Sequence, residues 1–340
     1  MKTRTKIISI VLLVVLLIAT VACGGNGDTK DDSTAKPRVA MVSYMAVDEA
    51  EWLQNLVAGV EQYLKDNPDR FEFKVIEATQ PNEYEPKIKA ACEEGYDIVI
   101  TTYDNMAAAT IVAAEQYPDV KFGTLDGGIE NLESYKNIQD FRLSRVETGF
   151  LAGIVGAKMS KTNKLGIVAG ADVGSINEII AGWQQGMRYV NNEIEDVVMY
   201  ANTFTDPTKG KELGLALINQ GCDVIGGAAG GTGVGVAQAA AEKGTYYVAW
   251  DVHYPDVVPD LELCSALNYF DKMVLAFIND AISDNYQPGK TTIYGVKEGA
   301  AALGYLDNNL ISDEIKKFVE EVADKVAAGE IELKLEPIHK

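Results

Sequence analysis

The sequence predicts an α/β protein with two lobes, each built on a parallel sheet that helices cover on both faces. Short apolar runs of strand type alternate with segments of helical spacing through most of the chain. Such alternation is typical of parallel sheets with right-handed crossovers. After an N-terminal leader, about 300 residues remain, which is more than a single hydrophobic core usually covers.

The first run of alternating elements covers residues 38–126. It begins with an apolar strand at 38–43, and residues 97–102 are almost wholly apolar, as in strands buried on both faces of a parallel sheet. Residues 50–65 place leucines and valines at helical spacing. Two further strands are predicted at 71–77 and 120–125, and two further helices at 84–94 and 105–116.

The second run covers residues 164–251. Its predicted strands are 164–169, 197–200, 223–227 and 246–250, and its predicted helices are 147–159, 176–191, 208–220 and 233–243. Between the two runs, residues 137–144 are strand-like but open no new βα unit. We interpret this segment as the passage of the chain from one lobe to the other.

The late elements are expected to return and complete both lobes. They comprise a strand at 261–266, a helix at 269–283, short strands near Thr292 and Ala302, and an amphipathic helix at 313–328. The predicted lobe 1 therefore spans 38–141 plus about 252–295, and lobe 2 spans 142–251 plus about 296–335. More than one hinge strand joins them.

The N-terminus has the features of a secretory signal peptide. A positive start precedes an apolar run at 7–21, which is shorter than the ~20 residues that a helix needs to span a bilayer. The run ends at Cys23, which a Gly- and Asp-rich stretch follows, and this resembles a lipobox with Thr20 at a position that is usually aliphatic. We expect a signal peptide at 1–22, a lipid on Cys23 that anchors the protein to the bacterial membrane, and a flexible tether at 23–37. An ordinary signal peptide with a chance cysteine is the alternative.

The charge balance argues against nucleic acid as a partner. The formal net charge is −20, and it becomes about −23 (−20 − 3) once the three basic residues of the signal peptide are removed. Such a chain repels phosphate backbones, and it favours a neutral small ligand over an anionic one. The remaining cysteines, Cys92, Cys222 and Cys264, are interpreted as buried thiols.

Catalytic and cofactor motifs are sparse. The chain has only His253 and His339, which leaves little for a metal site or a Ser-His-Asp triad. A phosphate loop ending at 289–291 would need glycine at 284, where Asp284 stands. We therefore predict no enzyme activity, no cofactor and no metal.

Several polar and aromatic residues follow predicted strands, at the edge where open α/β sheets bind ligands. Asp126 and Asp251 each end a strand, and a carboxylate there can accept two hydrogen bonds from a vicinal diol. Trp52, Tyr103 and Phe204 also come just after strand ends, where a flat ring could stack on them. A helix cap or ion pair for the acids, and a core position for the aromatics, are the alternatives. A hydrolase using Asp126 and Asp251 on a ribose also stays open.

A glycine-rich turn at 226–235 follows one strand and opens a helix. It does not match the dinucleotide pattern Gly-x-Gly-x-x-Gly in any register. Its small residues and free N–H groups nevertheless allow close approach of a ligand oxygen. A purely structural turn is the alternative.

Four stretches of the chain resemble the basic membrane protein family of ABC-importer substrate-binding lipoproteins, which includes purine nucleoside receptors. They are residues 147–153 with 159–166, 202–210, 229–233, and the pair Trp250 and Asp251. The resemblance implies a type I periplasmic-binding fold with a hinge, a nucleoside in the cleft, and a permease with its ATPase as partners. It places the ribose-binding Asp on Asp251, the second strand-end Asp on Asp126, the stacking Phe on Phe204 and the contacting Gly on Gly230.

Two positions depart from the family pattern. Leu53 stands where the family has Asn after its conserved aromatic, which Trp52 keeps here. Asn268 stands where the family has a cleft Lys, so a positive charge is lost. We expect an extracytoplasmic binder of a nucleoside, with a purine base as the leading form. A sugar, a free base or another ring ligand, or a ligand-sensing lipoprotein, are the alternatives.

Overall fold

The computed structural model describes residues 36–49 and 51–339, apart from the side chain of Glu51. The predicted signal peptide at 1–22, Cys23 and most of the tether at 23–37 lie outside the described residues. Within the described part of the chain, no helix is long and apolar enough to cross a membrane. Cys92, Cys222 and Cys264 are buried and unpaired.

The first sheet consists of six parallel strands. These are β1 (Arg38–Ser43), β2 (Glu72–Glu77), β3 (Ile98–Thr102), β4 (Lys121–Leu125), β5 (Ile138–Leu143) and β11 (Thr291–Tyr294), in the spatial order β11-β5-β4-β3-β1-β2. Its helices are α1 (Glu51–Asp66), α2 (Pro81–Glu93), α3 (Ala107–Gln116) and α8 (Phe270–Ile282). Alternate residues of β1 enter cores on opposite faces, since Val39 and Met41 pack with α1 and α8 while Ala40 and Val42 pack with α2 and α3.

The second sheet also has six strands. These are β6 (Lys164–Ala169), β7 (Glu195–Tyr200), β8 (Val224–Ala228), β9 (Tyr246–Trp250), β10 (Glu262–Asn268) and β12 (Ala301–Gly304), in the order β12-β10-β9-β8-β6-β7. Only β12 is antiparallel to its neighbour. The helices around it are α4 (Arg145–Met159), α5 (Gly174–Val190), α6 (Pro207–Asn219), α7 (Gly231–Lys243) and α9 (Asp313–Ala327).

Three segments carry the chain between the two lobes. The first is Ser144, because β5 pairs in the first sheet while α4 packs in the core of the second. The second lies at Tyr269, between β10 and α8, and the third runs from β11 to β12. Both sheets belong to one compact unit. Three crossings therefore tie the two lobes together.

One strand lies in the lobe opposite to its predicted one. Residues from about 252 were predicted to belong to lobe 1, but β10 pairs in parallel with β9 in the second sheet. The loop after β9 returns the chain to the same sheet, where residues 262–266 are wholly buried. The chain crosses to lobe 1 only after Asn268. The other limits of the lobes stay a prediction.

Candidate ligand-binding cleft

Three of the predicted site residues occupy equivalent positions at the carboxyl edges of the sheets. Tyr103, Asp126 and Asp251 are each the first residue after a strand. Each backbone N–H still donates to the neighbouring strand, at 2.7 Å to Leu125, 3.0 Å to Phe141 and 2.9 Å to Ala266. The sheet therefore fixes each backbone at the point where its side chain leaves the edge.

The same three residues have positive φ angles. The φ angles are 61° at Tyr103, 50° at Asp126 and 64° at Asp251. Non-glycine residues rarely adopt positive φ, which costs about 1–3 kcal/mol, and such residues cluster at ligand-binding sites. The backbone at these three strand ends is therefore strained, and the strain accompanies a side chain held at the carboxyl edge of the sheet.

A cavity of about 440 Å³ lies where the two lobes meet, and its volume is in the range of small-ligand sites. It brings together four of the predicted site residues, namely Trp52, Tyr103, Asp251 and Asn268. Its other lining residues are Asn55, Leu56, Val252, Leu267, Tyr269, Phe270 and Asp271. Both lobes and the second crossing therefore contribute walls.

Aromatic rings form the lobe 1 wall of this cavity. The ring centroid of Trp52 lies 5.5 Å from that of Tyr103 and 5.3 Å from that of Phe270. These edge and tilted contacts hold the indole in place. The Trp52 ring is only partly buried, so it can stack a planar ligand.

A carboxylate and an amide face this wall from lobe 2. Asn268 donates from Nδ2 to Oδ1 of Asp251 at 2.7 Å. The Oδ1 atom of Asn268 is buried and has no hydrogen-bond partner among the described residues. Asp251 is open to the cleft but surrounded by both lobes, and this loss of hydration raises its pKa, although Asn268 and Arg145 oppose the rise.

The raised pKa of Asp251 predicts that ligand affinity depends on pH. Affinity should be full above this pKa and should fall as the pH drops through it, because a protonated carboxyl accepts fewer hydrogen bonds from ligand hydroxyls. Calorimetric titrations from about pH 8 to about pH 4 test this. Asp251→Asn should lose this pH dependence, and an affinity of the wild-type protein that stays constant over the range would contradict the prediction.

The same shift has the opposite effect on the ligand-free fold. A group whose folded-state pKa is raised stabilises the fold at pH values below its unfolded pKa. That contribution is lost as the pH rises through the folded-state pKa. At neutral pH, the charged Asp251 therefore destabilises the ligand-free protein.

A second cavity, of about 290 Å³, lies beside the first and shares Tyr103 with it. There Arg145 donates to Asp126 at 2.8 Å between Nη2 and Oδ2, and Arg142 pairs with Glu178 at 2.5 Å. Burial alone would lower the pKa of Arg145, but the charge and hydrogen bonds of Asp126 outweigh it and raise the pKa. Both pairs join an element of lobe 1 to a helix of lobe 2.

Phe204 and Gly230 lie together at the carboxyl edge of the second sheet. The Phe204 ring covers the end of β6 so closely that a Cβ on Gly170 would lie 2.0 Å from it. Gly230 has φ 53° and sits against the Phe204 backbone. Phe204 is 41% exposed. Neither residue lines the two cavities above, so their contact with ligand stays a prediction.

Several residues at these cavities were not predicted from the sequence. Asn55, Phe270 and Asp271 line the larger one, and Arg145 lines the smaller. Leu53, which was expected to influence ligand identity, is fully buried in the lobe 1 core and lines neither cavity. The helical geometry of α1 explains why Leu53 is absent from the cavity lining. Residues 52, 55 and 56 share the face toward the cavity, whereas residue 53 points into the core.

Metal-dependent chemistry finds no support in the side chains that the structure describes. In the described part of the chain, no group of three or more His, Cys, Asp or Glu residues could hold a metal ion. Asp126, one of the two acids considered for hydrolysis, is neutralised by Arg145.

Two α/β lobes joined by three crossings, with ligand-sized cavities at the edges where the lobes meet, define a periplasmic-type solute-binding protein. The chain belongs to the Bmp family of PnrA-like ABC transporter substrate-binding proteins, whose family model matches residues 36–335. The predicted family and the predicted type I periplasmic-binding fold are confirmed. Such proteins bind small ligands, work with a permease and an ATPase, and are not enzymes.

Similar proteins cover nearly the whole chain. Basic membrane protein A of Borreliella burgdorferi is 26% identical over 330 residues, which is 94% of each chain. The ABC transporter nucleoside-binding protein BmpA of Lactococcus lactis is 27% identical over 329 residues, which is 91% of each. A solved solute-binding protein of an ABC transporter system from Conexibacter woesei superposes with a TM-score of 0.70 at 17% identity, covering 88% of this chain and 98% of that one.

Proposed function

We propose that this protein is the extracytoplasmic, lipid-anchored receptor of an ABC importer and that it binds a purine nucleoside between its lobes. The observation that carries the proposal is the larger cavity. Its lining combines the Trp52 ring of lobe 1 with the Asp251 carboxylate of lobe 2. A nucleoside has a flat base for the first and a vicinal diol for the second.

The charge of the cavity supports a nucleoside over a nucleotide. Among the described residues, its lining includes Asp251 and Asp271 but no lysine or arginine. A phosphate would therefore meet two carboxylates without a cation in the lining, which is unfavourable at close range. The nucleoside-binding name of the Lactococcus lactis relative agrees with this choice.

Hinge closure completes the proposed site. The ligand favours the closed form only by its higher affinity for that form. Closure would bring Phe204 and Gly230 toward the second face of the base. Asp126 would accept a ligand hydroxyl with the lone pairs that Arg145 leaves available.

A thermal-shift panel on unfolded and refolded, ligand-free protein tests this function. Purine nucleosides should raise the melting temperature, because a ligand that binds only the folded state stabilises it by mass action. Ribose, free bases and nucleoside monophosphates are the comparison compounds and should raise it much less. A shift with sugars but not with any nucleoside would overturn the proposal.

The proposed lipid anchor has its own test. Cys23→Ser should move the protein from the membrane fraction to the extracellular or periplasmic fluid, because the acyl acceptor is lost. Fractionation and immunoblotting measure this, with Cys92→Ser as the control, since Cys92 is buried in lobe 1. Unchanged membrane association of Cys23→Ser would contradict the anchor.

A further inference from the structure

Asp271 lines the larger cavity from lobe 1, and Asp251 lines it from lobe 2. It is the second residue of α8 and is partly buried. Its Oδ2 atom fills the notch left by Gly59 of α1, where a Cβ would lie 2.3 Å away. No described side chain or backbone N–H donates a hydrogen bond to this carboxylate. The N-terminus of α8 favours a negative charge at Asp271, but both oxygens of the carboxylate remain available as acceptors.

Asn55 lies beside this carboxylate on the same face of α1. It stands three residues after Trp52 and four before Gly59, so the indole, the amide and the notch follow one another along the helix. The Asn55 side chain also has no hydrogen-bond partner among the described residues. A planar ligand stacked on Trp52 would therefore present its edge to an amide and a carboxylate.

These two groups form a donor and acceptor pattern. An ionised carboxylate only accepts hydrogen bonds and can take two parallel N–H groups, whereas the amide of Asn55 can donate. Guanine has a matching edge, with the O6 acceptor next to N1–H and the 2-amino group. Hypoxanthine lacks the 2-amino donor, and adenine has an acceptor at N1.

We infer that Asp271 and Asn55 read the base edge and select a purine that carries N1–H and a 2-amino group, as guanosine does. Asp271 would accept from both donors, and Asn55 would donate to O6. This inference rests on the proposed function, because it assumes that a purine nucleoside occupies the cavity. Asp251 and Asn268, which lie on the opposite lobe, are then left to the ribose.

Guanosine and inosine provide the decisive comparison, because they differ only in the 2-amino group. Calorimetry on the wild-type protein should show guanosine binding at least about tenfold more tightly, since a hydrogen bond to a charged group is lost with inosine. Adenosine should also bind more weakly than guanosine. Asp271→Asn should reduce the guanosine-to-inosine ratio to near one, because an amide at 271 can accept at only one oxygen.

Two further variants separate base reading from helix stability. Asp313→Asn makes the same change at the exposed first turn of α9, away from the cavity, and should leave the ratio unchanged. Asn55→Ala should weaken guanosine and inosine binding by a similar factor, because both carry O6. Since Asn55 is exposed on a helix, this variant stays informative even if Asp271→Asn folds poorly.

The binding results can separate failure of the inferred base selectivity from failure of the proposed nucleoside binding. If no purine nucleoside binds the wild-type protein, the proposed function fails and the inference fails with it. If nucleosides bind but guanosine and inosine have equal affinity, only the inference is overturned. The inference is also overturned if folded Asp271→Asn keeps the wild-type ratio, or if Asn55→Ala binds both nucleosides as the wild type does.

Discussion

Replacing Asp251 with asparagine is expected to weaken nucleoside binding by about 100-fold, because charge-assisted hydrogen bonds contribute about 1.5–3 kcal/mol each. The carboxylate would lose both its charge and its capacity to accept from two ribose hydroxyls. The amide oxygen of the variant can still accept from Asn268, which now donates at 2.7 Å. The local structure should therefore survive the substitution.

The stability of this variant should change in the opposite direction to its affinity. Loss of hydration between the lobes raises the pKa of Asp251, so the charged side chain is disfavoured in the ligand-free fold at neutral pH. The melting temperature of ligand-free Asp251→Asn should equal or exceed that of the wild type. Asp256→Asn, an exposed change five residues further along, is the control and should alter neither quantity. Lower affinity with a lower melting temperature would indicate misfolding, against this account.

The second large effect is on stability and concerns the packing of α4 against α5. A Cβ at Gly182 or Gly186 of α5 would lie 2.0 Å from the carbonyl oxygen of Val146 or Phe150, respectively. The helix backbones therefore touch, and an added methyl must push them apart. We expect Gly186→Ala to destabilise the protein by about 3 kcal/mol, in spite of the higher helix propensity of alanine.

Thermal denaturation measures this effect against a control in the same helix. The Gly186→Ala variant should melt about 5 °C or more below the wild type. Gly174→Ala adds the same methyl at the start of α5, where no heavy atom lies within 4 Å, and should leave the melting temperature unchanged or slightly raised. Equal melting temperatures for the two variants would show that the close approach does not limit stability.

Much of the fold could be predicted because strand and helix periodicity are local properties. The strands at 38–43, 164–169 and 246–250 coincide with β1, β6 and β9. Sheet membership is not local, and this is why β10 was assigned to the wrong lobe. An apolar strand after a long loop fits either sheet, and only the pairing with β9 decides between them.

The residues of the candidate site also differ in whether local sequence patterns could predict them. Tyr103, Asp126 and Asp251 could be proposed from sequence because any residue that ends a parallel strand lies at the ligand-binding edge. Asn55 and Asp271 could not, since they come from helices more than 200 residues apart that meet only in the folded protein. The Arg145 pair with Asp126 was missed for a similar reason, since no periodicity shows that a helix start in lobe 2 faces a strand end in lobe 1.

Calorimetric titration of refolded, ligand-free protein with guanosine, inosine and adenosine would show whether the cleft holds a purine nucleoside. We expect saturable binding of one purine nucleoside per chain and a loss of about 100-fold in affinity in Asp251→Asn. Folding of both proteins is verified by their melting curves. Absence of a binding signal with every purine nucleoside, or wild-type affinity in Asp251→Asn, would rule out nucleoside binding through Asp251.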